Sequence, residues 1–345
     1  MKLLILTQVV DKDDLYLGFF HRWIEMLAPH HEHIHVICLK GGVYTLPENV
    51  SVHSLGKEKG YSQFRYIKNF FSLAWSLRKE YDAVFVHMNQ EYVLLAGPLW
   101  KFLGKRIYMW RNHYAGTWLT NLAVILSTKV FCTSVHSYTA RFKKTVIMPV
   151  GVDTDLFHPL EHIARKPKSI LFYARMSPSK HPDILLEALG EMQRMGVDFT
   201  ASLYGTPLPK HVAYTEALKT RVRELALDGK VSFYPGIPYH RGIEVFSTHE
   251  IFVNLGASGM YDKMLFEAAA SGCIVLAASK DFAREIRDPR LSFAENDASD
   301  LARKLAVLLA LSPSECEGVI KKTDMLVSRN NLALLTGRLA KIIKS

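Results

Sequence analysis

Short apolar runs rich in β-branched residues alternate with longer helical patterns almost from one end of this chain to the other. Repeated units of that kind bury their strands only as parallel sheets with helices on both faces, so the rhythm constrains the fold more than any other feature. In the first half the strand candidates are "KLLILTQ", "IHVICL", "VSVHSL", "DAVFVHM", "KRIYMW", "KVFCTS" and "TVIMPV". The second half resumes with "SILFYA", "FTASLYG", "VSFYPG", "IFVNLG", "CIVLAAS" and "LSFAE". Between them lies "GVDTDLFHPLEHIARKPK", turn-rich, polar and interrupted by proline, which reads as an interdomain connection. At 345 residues the chain is too long for one ordinary core and suits two α/β domains, each doubly wound. The last stretch, "NNLALLTGRLAKIIKS", has apolar residues at helical spacing and cations in its final turns, as a terminal helix should.

Composition narrows the class. With 49% hydrophobic and 22% charged residues the chain is globular, neither disordered nor fibrous. No apolar run approaches the ~18 to 20 residues of a membrane span, and "MKLLILTQVV" is too short and wrongly flanked for a signal peptide. It reads as a first buried strand. Cys38, Cys132, Cys273 and Cys316 are scattered, with no CxxC and no pairing with histidine, so neither a disulfide framework nor a zinc site is expected and a reducing cytoplasm fits. The net charge of +10 is concentrated: between Lys101 and Val150 there are eight cations and no acidic residue. Such a stretch suits an anionic neighbour, whether nucleic acid, lipid headgroups or a phosphorylated small molecule, or is a solvated basic face. No nucleic-acid recognition motif accompanies it.

Ligands of doubly wound sheets sit outside the carboxyl ends of the strands, where helix N-termini present free N–H groups, and two such halves facing each other form a cleft. Three constellations occupy such positions. In "FYARMSPSKHPDILLEAL", Arg175 and Lys180 follow a strand and precede a helix starting near Pro182. A guanidinium fork and a mobile ammonium suit a diphosphate, although two solvated loop cations would look the same. In "SGMYDKMLFEAAASG", a turn at Ser258 and Gly259 leads into a helix expected to begin near Met260 or Tyr261 and stopped by Gly272. Glu267 stands there among Met264, Leu265, Phe266 and three alanines, where an unpaired charge costs several kcal/mol or more, so a partner is required. Lys263 is four residues earlier, the weaker order for simple helix support, which favours a ligand for both groups over a surface salt bridge. In "YMWRNHYAG", Arg111, Asn112 and His113 fall at a strand end; His113 could bond a sugar hydroxyl or take a proton, with His87 competing for the role.

Two further stretches read more plainly. The acidic turn "DKDD" lacks the spacing of a calcium loop and is expected to be loop only. "FRYIKNFFSLAWSLRKEY" interleaves aromatic and basic residues; it is either a sheet-packing helix with a cationic outer face or a helix able to lie on an anionic membrane.

The blocks "PVGVDTDLFHP", "ARMSPSK" with "LLEAL", and "DKMLFEAAASG" followed by "CIVLAAS" together resemble the family 4 retaining glycosyltransferases (glycosyl transferases group 1) of the GT-B fold. "TQVVDKDDLYLGFFHRWIEML" and "LGKRIYMWRNHYAG" resemble a microbial branch of that family, so the likeness covers nearly the whole chain. It implies two Rossmann-like parallel-sheet domains facing across a cleft: residues 1–155 on the acceptor side, with a helix at 331–345 crossing back onto them, and residues 156–330 holding the nucleotide-sugar. Arg175 and Lys180 would bind the donor diphosphate and stabilise it as it leaves. Glu267 would hold the ribose hydroxyls, His113 the donor sugar, and the loop through Gly18 the acceptor and phosphate side. These enzymes usually need no bound metal or other cofactor, and retention is generally explained by front-face attack with the leaving phosphate helping to deprotonate the acceptor.

One departure stands out. The family motif pairs two glutamates, and with Glu267 as the second the first falls on Gly259. The turn is expected to substitute, through backbone N–H groups of Gly259, Met260 and Tyr261 and the side chains of Asp262 and Lys263. The resemblance therefore implies transfer from a nucleotide-diphosphate sugar to a lipid-linked or glycan acceptor in cell-surface glycan or glycolipid synthesis, in the cytoplasm or peripherally on the inner face of the membrane. A nucleotide-sugar 2-epimerase of the same fold, and a catalytically weak sugar-nucleotide or glycan-binding protein, are the alternatives.

Overall fold

In a computed structural model describing all 345 residues, the βα rhythm resolves into two all-parallel sheets. The first is built from β1 (Leu3–Val10), β2 (Ile34–Gly41), β3 (Val50–Ser54), β4 (Ala83–His87), β5 (Arg106–Trp110), β6 (Lys129–Cys132) and β7 (Thr145–Ile147). Its spatial order is β3-β2-β1-β4-β5-β6-β7. The second contains β8 (Ser169–Tyr173), β9 (Thr200–Tyr204), β10 (Val231–Tyr234), β11 (Ile251–Asn254) and β12 (Ile274–Ala277), ordered β10-β9-β8-β11-β12. Both sheets thus run outward from their first strand and then reverse, the doubly wound arrangement. The chain divides into two compact units: Met1–Gly151 with Pro238–His240 and Leu332–Ser345, and Val152–Ile237 with Arg241–Asn331.

Strand β1 shows why its sequence is apolar without alternation. Leu3 and Ile5 belong to a core with Phe20, Trp23 and Ile24 of the helix Phe19–Leu27. Leu4 and Leu6 point the other way, into a core with Phe70, Trp100 and Val124 from three helices on the opposite face. A central strand covered on both faces must be hydrophobic at every position, and each of these side chains contributes roughly 1.5–3 kcal/mol. The helix Leu332–Lys344 closes the first core: Leu335, Leu339 and Ile343 line one stripe, and Tyr108 donates to the Ile343 carbonyl at 3.2 Å. Gly151 passes beneath that helix with φ +83°, where a Cβ would lie 2.3 Å from Leu335.

Several details differ from the sequence reading. "LSFAE" is not a strand; it contributes only an isolated bridge, Ala277 to Ser292. His87 is packed rather than poised: it stacks on Phe20 at 3.9 Å, and burial pushes its pKa down to about 3, so it stays neutral within the core. In the acidic turn, Asp11 accepts the N–H of Asp13 and Asp14 those of Tyr16 and Leu17, which ties the loop to itself, while Asp11 also accepts the N–H of Val43 just past β2. The helix Gln63–Ser76 buries Phe70 and Ala74 against the sheet. No helix is long and apolar enough to cross a membrane.

Candidate functional site

In the second unit the strand order reverses between β8 and β11, which are hydrogen-bonded neighbours. The segments leaving their carboxyl ends emerge side by side, and that reversal is where open α/β sheets bind ligands. After β8 come the exposed Arg175, the single turn Pro178–Lys180, and His181 in the left-handed region at φ +53°, which starts the helix Pro182–Arg194. After β11 come Gly259 at φ +91°, Tyr261 at φ +28° and the helix Lys263–Ala270.

That helix begins later than expected from the sequence. Left-handed backbone at Gly259 and Tyr261 cannot join the helix, and Asp262 is its cap, accepting the Met264 N–H at 3.2 Å. The same carboxylate meets the first constellation: Lys180 Nζ donates to Asp262 Oδ2 at 2.7 Å, joining residues 82 positions apart. Burial alone would raise the Asp262 pKa. The Lys180 ammonium, with hydrogen bonds from Lys180, Met264 and Asn254, outweighs burial and holds the carboxyl below its usual range. Asn254, the last residue of β11, also accepts the Gly256 N–H at 3.1 Å, so it fixes the exit of the strand and the cap together.

Glu267 is only 3% exposed, between Phe266 and the alanines of its helix. Its partner is Lys263, one turn earlier, whose ammonium bonds Oε1 directly. The lysine packs over Phe157 as well, at 6.0 Å from the ring centroid. The site therefore holds two ion pairs, Lys180–Asp262 and Lys263–Glu267, with Asp262 and Lys263 adjacent in the chain.

The turn between Ser258 and Tyr261 is braced from residues that the sequence reading passed over. Glu295 accepts from the Ser258 N–H at 3.0 Å and from its hydroxyl at 2.5 Å. The Lys280 N–H donates to the Ser258 hydroxyl at 2.9 Å, and Gly259 N–H donates to Asp281 Oδ2 at 3.3 Å. Asp281 is fully buried. The Gly259 amide therefore already has an acceptor. Tyr261 is buried with its ring edge on Phe266 at 4.9 Å, and burial beside Glu285 and Asp281 pushes its hydroxyl pKa well up. A small cavity opens beside this turn, lined by His181, Leu255, Ala257, Ala278, Phe293 and Glu295. No local sequence signal marks Asp281 or Glu295, since each acts on a turn more than twenty positions earlier.

His113 and Gly18 lie in the first unit. His113 follows β5, half-buried, stacked on Tyr114 at 4.6 Å, and its Nδ1 accepts the Ala115 N–H at 2.9 Å. The Ala115 carbonyl oxygen lies 3.2 Å from the same nitrogen. Around it, Arg111 donates to the Ala115 carbonyl at 2.9 Å, and Asn112 accepts from Thr133 N–H and the Ser137 hydroxyl. Gly18 starts the helix Phe19–Leu27 from a crowded turn, where a Cβ would lie 2.7 Å from the Asp14 carbonyl and 2.9 Å from that of Lys12.

No group of three or more His, Cys, Asp or Glu side chains is placed to hold a metal ion. The buried thiols of Cys38 and Cys273 are pushed up to about 12 and about 11 by burial, which makes them poor nucleophiles.

Residues 153–324 match the family described as glycosyl transferases group 1. Among curated proteins, a D-inositol 3-phosphate glycosyltransferase of Nocardia farcinica is 27% identical over 154 residues, covering 42% of this chain and 34% of that one. A phosphatidylinositol N-acetylglucosaminyltransferase component from Arabidopsis thaliana is 26% identical over 190 residues, covering 52% and 40%. The chain thus spans well under half the length of these curated relatives. Among solved structures, Anabaena HepE in complex with UDP-glucose superposes with a TM-score of 0.79 at 17% identity, over 100% of this chain and 99% of that one. Sucrose-phosphate synthase from Thermosynechococcus elongatus gives 0.79 at 14%, over 100% and 98%. The architecture is the GT-B fold.

Proposed function

Because residues 153–324 make this chain a member of the glycosyl transferases group 1 family, we propose that it transfers a sugar, with retention, from a nucleotide-diphosphate sugar to a lipid-linked or glycan acceptor in cell-surface glycan or glycolipid synthesis. The observation that carries this reading is the Lys180–Asp262 pair at the strand reversal of the second unit. It fixes a cation where a diphosphate would lie, outside the carboxyl ends of β8 and β11, so little reorganisation is needed when negative charge develops.

In this reading Arg175 and Lys180 hold the two phosphates and Glu267, bonded to Lys263, takes the ribose hydroxyls. The bond between the sugar's C1 and the diphosphate oxygen breaks as the acceptor oxygen bonds C1 from the same face. The acceptor proton passes to the departing phosphate, whose added charge the two cations stabilise. His113 faces a sugar hydroxyl, and the loop through Gly18 serves the acceptor and phosphate side. Asp262 and Lys263 take over the role of the glutamate missing at Gly259, on a turn held in shape by Asp281 and Glu295. Because HepE was solved with UDP-glucose, uridine nucleotides are the first donors to try. In the same reading the protein works in the cytoplasm, peripherally on the inner face of the membrane, without a bound metal.

The test is release of nucleoside diphosphate from a panel of nucleotide-sugars with and without glycan and polyprenyl-phosphate-linked acceptors. Acceptor-dependent release that falls strongly in Asp262→Ala and Lys263→Ala supports transfer through this turn. Unchanged turnover in both variants removes the substitution at Gly259 from the account. Conversion of the donor sugar without any acceptor would make the protein an epimerase, and donor binding without either reaction would make it a binding protein.

A further inference from the structure

Strands β8, β9 and β10 end on the same residue type. Tyr173, Tyr204 and Tyr234 are their last residues and stand in register across the sheet. Their rings form a row: Tyr234 stacks on Tyr204 at 4.6 Å, and Tyr204 meets Tyr173 at 6.0 Å. The row continues through Phe246, 5.9 Å from Tyr173, to Phe157, 6.0 Å further on. Phe157 is the ring over which Lys263, the partner of Glu267, lies. A continuous line of aromatic contacts within the second unit thus joins the carboxylate assigned to the ribose with the segments that leave β8, β9 and β10.

Those segments are tied to one another. The Ala174 N–H donates to the Tyr204 carbonyl at 3.1 Å and the Gly205 N–H to the Tyr234 carbonyl at 3.0 Å. Gly205 passes so close to its neighbour that a Cβ would lie 1.9 Å from the Ala174 carbonyl oxygen. Past β10, the Gly236 N–H donates to the Thr206 hydroxyl at 3.0 Å, and the Tyr173 hydroxyl donates to the Ile237 carbonyl at 3.0 Å. Ile237 precedes Pro238, which confines it to extended backbone. The N–H and C=O of an extended residue point to the same side, so Ile237 offers one donor and one acceptor next to each other. Its N–H has no acceptor in the protein, and its carbonyl keeps a second lone pair beside the Tyr173 bond.

An adjacent donor and acceptor match the hydrogen-bonding edge of a nucleobase. With the phosphates at the junction of β8 and β11 and the ribose at Glu267, the turn Ser258–Tyr261 and its braces fill the β12 side, which leaves the base the side of β9 and β10. We propose that Tyr173 and Thr206 are positioning residues that hold the Ile237 backbone in the orientation that selects the base of the nucleoside diphosphate. The inference rests on the donor-site reading above and adds to it which side chains set base preference.

Calorimetric titration of UDP, GDP and ADP into the wild-type chain, Tyr173→Phe, Thr206→Val, Thr206→Ser and Arg175→Ala tests it. The wild type should prefer one diphosphate. Tyr173→Phe and Thr206→Val should weaken that one about three- to tenfold and the other two less, so that the preference narrows, while Thr206→Ser keeps the hydroxyl and the preference. In donor turnover the same two variants should raise KM and leave kcat unchanged. Each substitution keeps the shape of the side chain and takes away one hydroxyl, and an unchanged melting temperature shows that the variants are folded. Equal affinity of the wild type for all three diphosphates, unchanged Kd in both variants, or an equal loss for all three overturns the inference; weaker binding in Arg175→Ala would then leave the donor site standing. No binding of any diphosphate to the wild type overturns both.

Discussion

Lys263→Met isolates the pair at the centre of the candidate site. Glu267 is 3% exposed and Lys263 supplies its ionic partner; the surrounding Leu265, Phe266 and Ala268–Ala270 offer no replacement donor. Methionine keeps most of the volume of the lysine stem but removes the charge, leaving a carboxylate in an apolar helix. Breaking a buried pair from one side costs about 3–5 kcal/mol, and the partial exposure of the lysine, 15% by side chain, puts the value near the lower end. For a unit of this size about 3 kcal/mol lowers the melting temperature by roughly 6–12 °C. The assay is urea and thermal unfolding of Lys263→Met, Glu267→Gln and the double variant. A double variant that recovers at least about 1.5 kcal/mol relative to the sum of the singles shows the coupling. A loss under about 1 kcal/mol in Lys263→Met, or strict additivity, would refute the reasoning, because Glu267 would then be satisfied without its lysine.

Asp288 accepts a two-pronged bond from Arg290 at 3.0 and 2.7 Å and a third from Lys322 at 2.8 Å, and the Arg290 hydrogen bonds above all hold its pKa well below the usual value. A depressed carboxyl stabilises the fold above the unfolded value of about 3.9 and loses that contribution as the pH falls through the folded one. Asp288→Asn should therefore cost about 1 kcal/mol at neutral pH and flatten the acid limb of a stability–pH curve; an unchanged limb would count against it. Gly151→Ala places a methyl group 2.3 Å from Leu335 at φ +83° and should cost at least about 2 kcal/mol in chemical denaturation. Asp281→Asn, which weakens the acceptor for Gly259 N–H, should raise the KM for donor more than it lowers kcat, measured by steady-state donor titration.

The repeated βα pattern made both parallel sheets legible because a strand buried on two faces has to be apolar throughout, as Leu3 to Leu6 are. It misread "LSFAE", where a similar apolar run is spent on a single bridge and loop packing around Leu291 and Phe293. The need for a partner at Glu267 was legible from its neighbours, but the i,i+4 order turned the reading toward a ligand, whereas Lys263 itself is the partner. Lys180–Asp262 was not, since only the order of β8 and β11 brings those residues together. The late start of the helix at Lys263 depends on left-handed backbone at Tyr261, a residue type that gives no warning of it. The helix Trp118–Leu126, which turns Trp118, Leu122 and Ile125 outward, was hidden for another reason: periodicity reports that a helix has an apolar face, not which way the face turns.

The donor site itself is tested by calorimetric titration of UDP, GDP and ADP into the wild-type chain, Arg175→Ala and Lys180→Met, with Asp288→Asn as a control away from the site. One nucleoside diphosphate should bind the wild type and the control alike, with Kd raised about tenfold or more in Arg175→Ala and Lys180→Met, as expected for lost charge-assisted phosphate contacts. Equal affinity in all four proteins, or no binding of any diphosphate to the wild type, would contradict a donor site at the junction of β8 and β11.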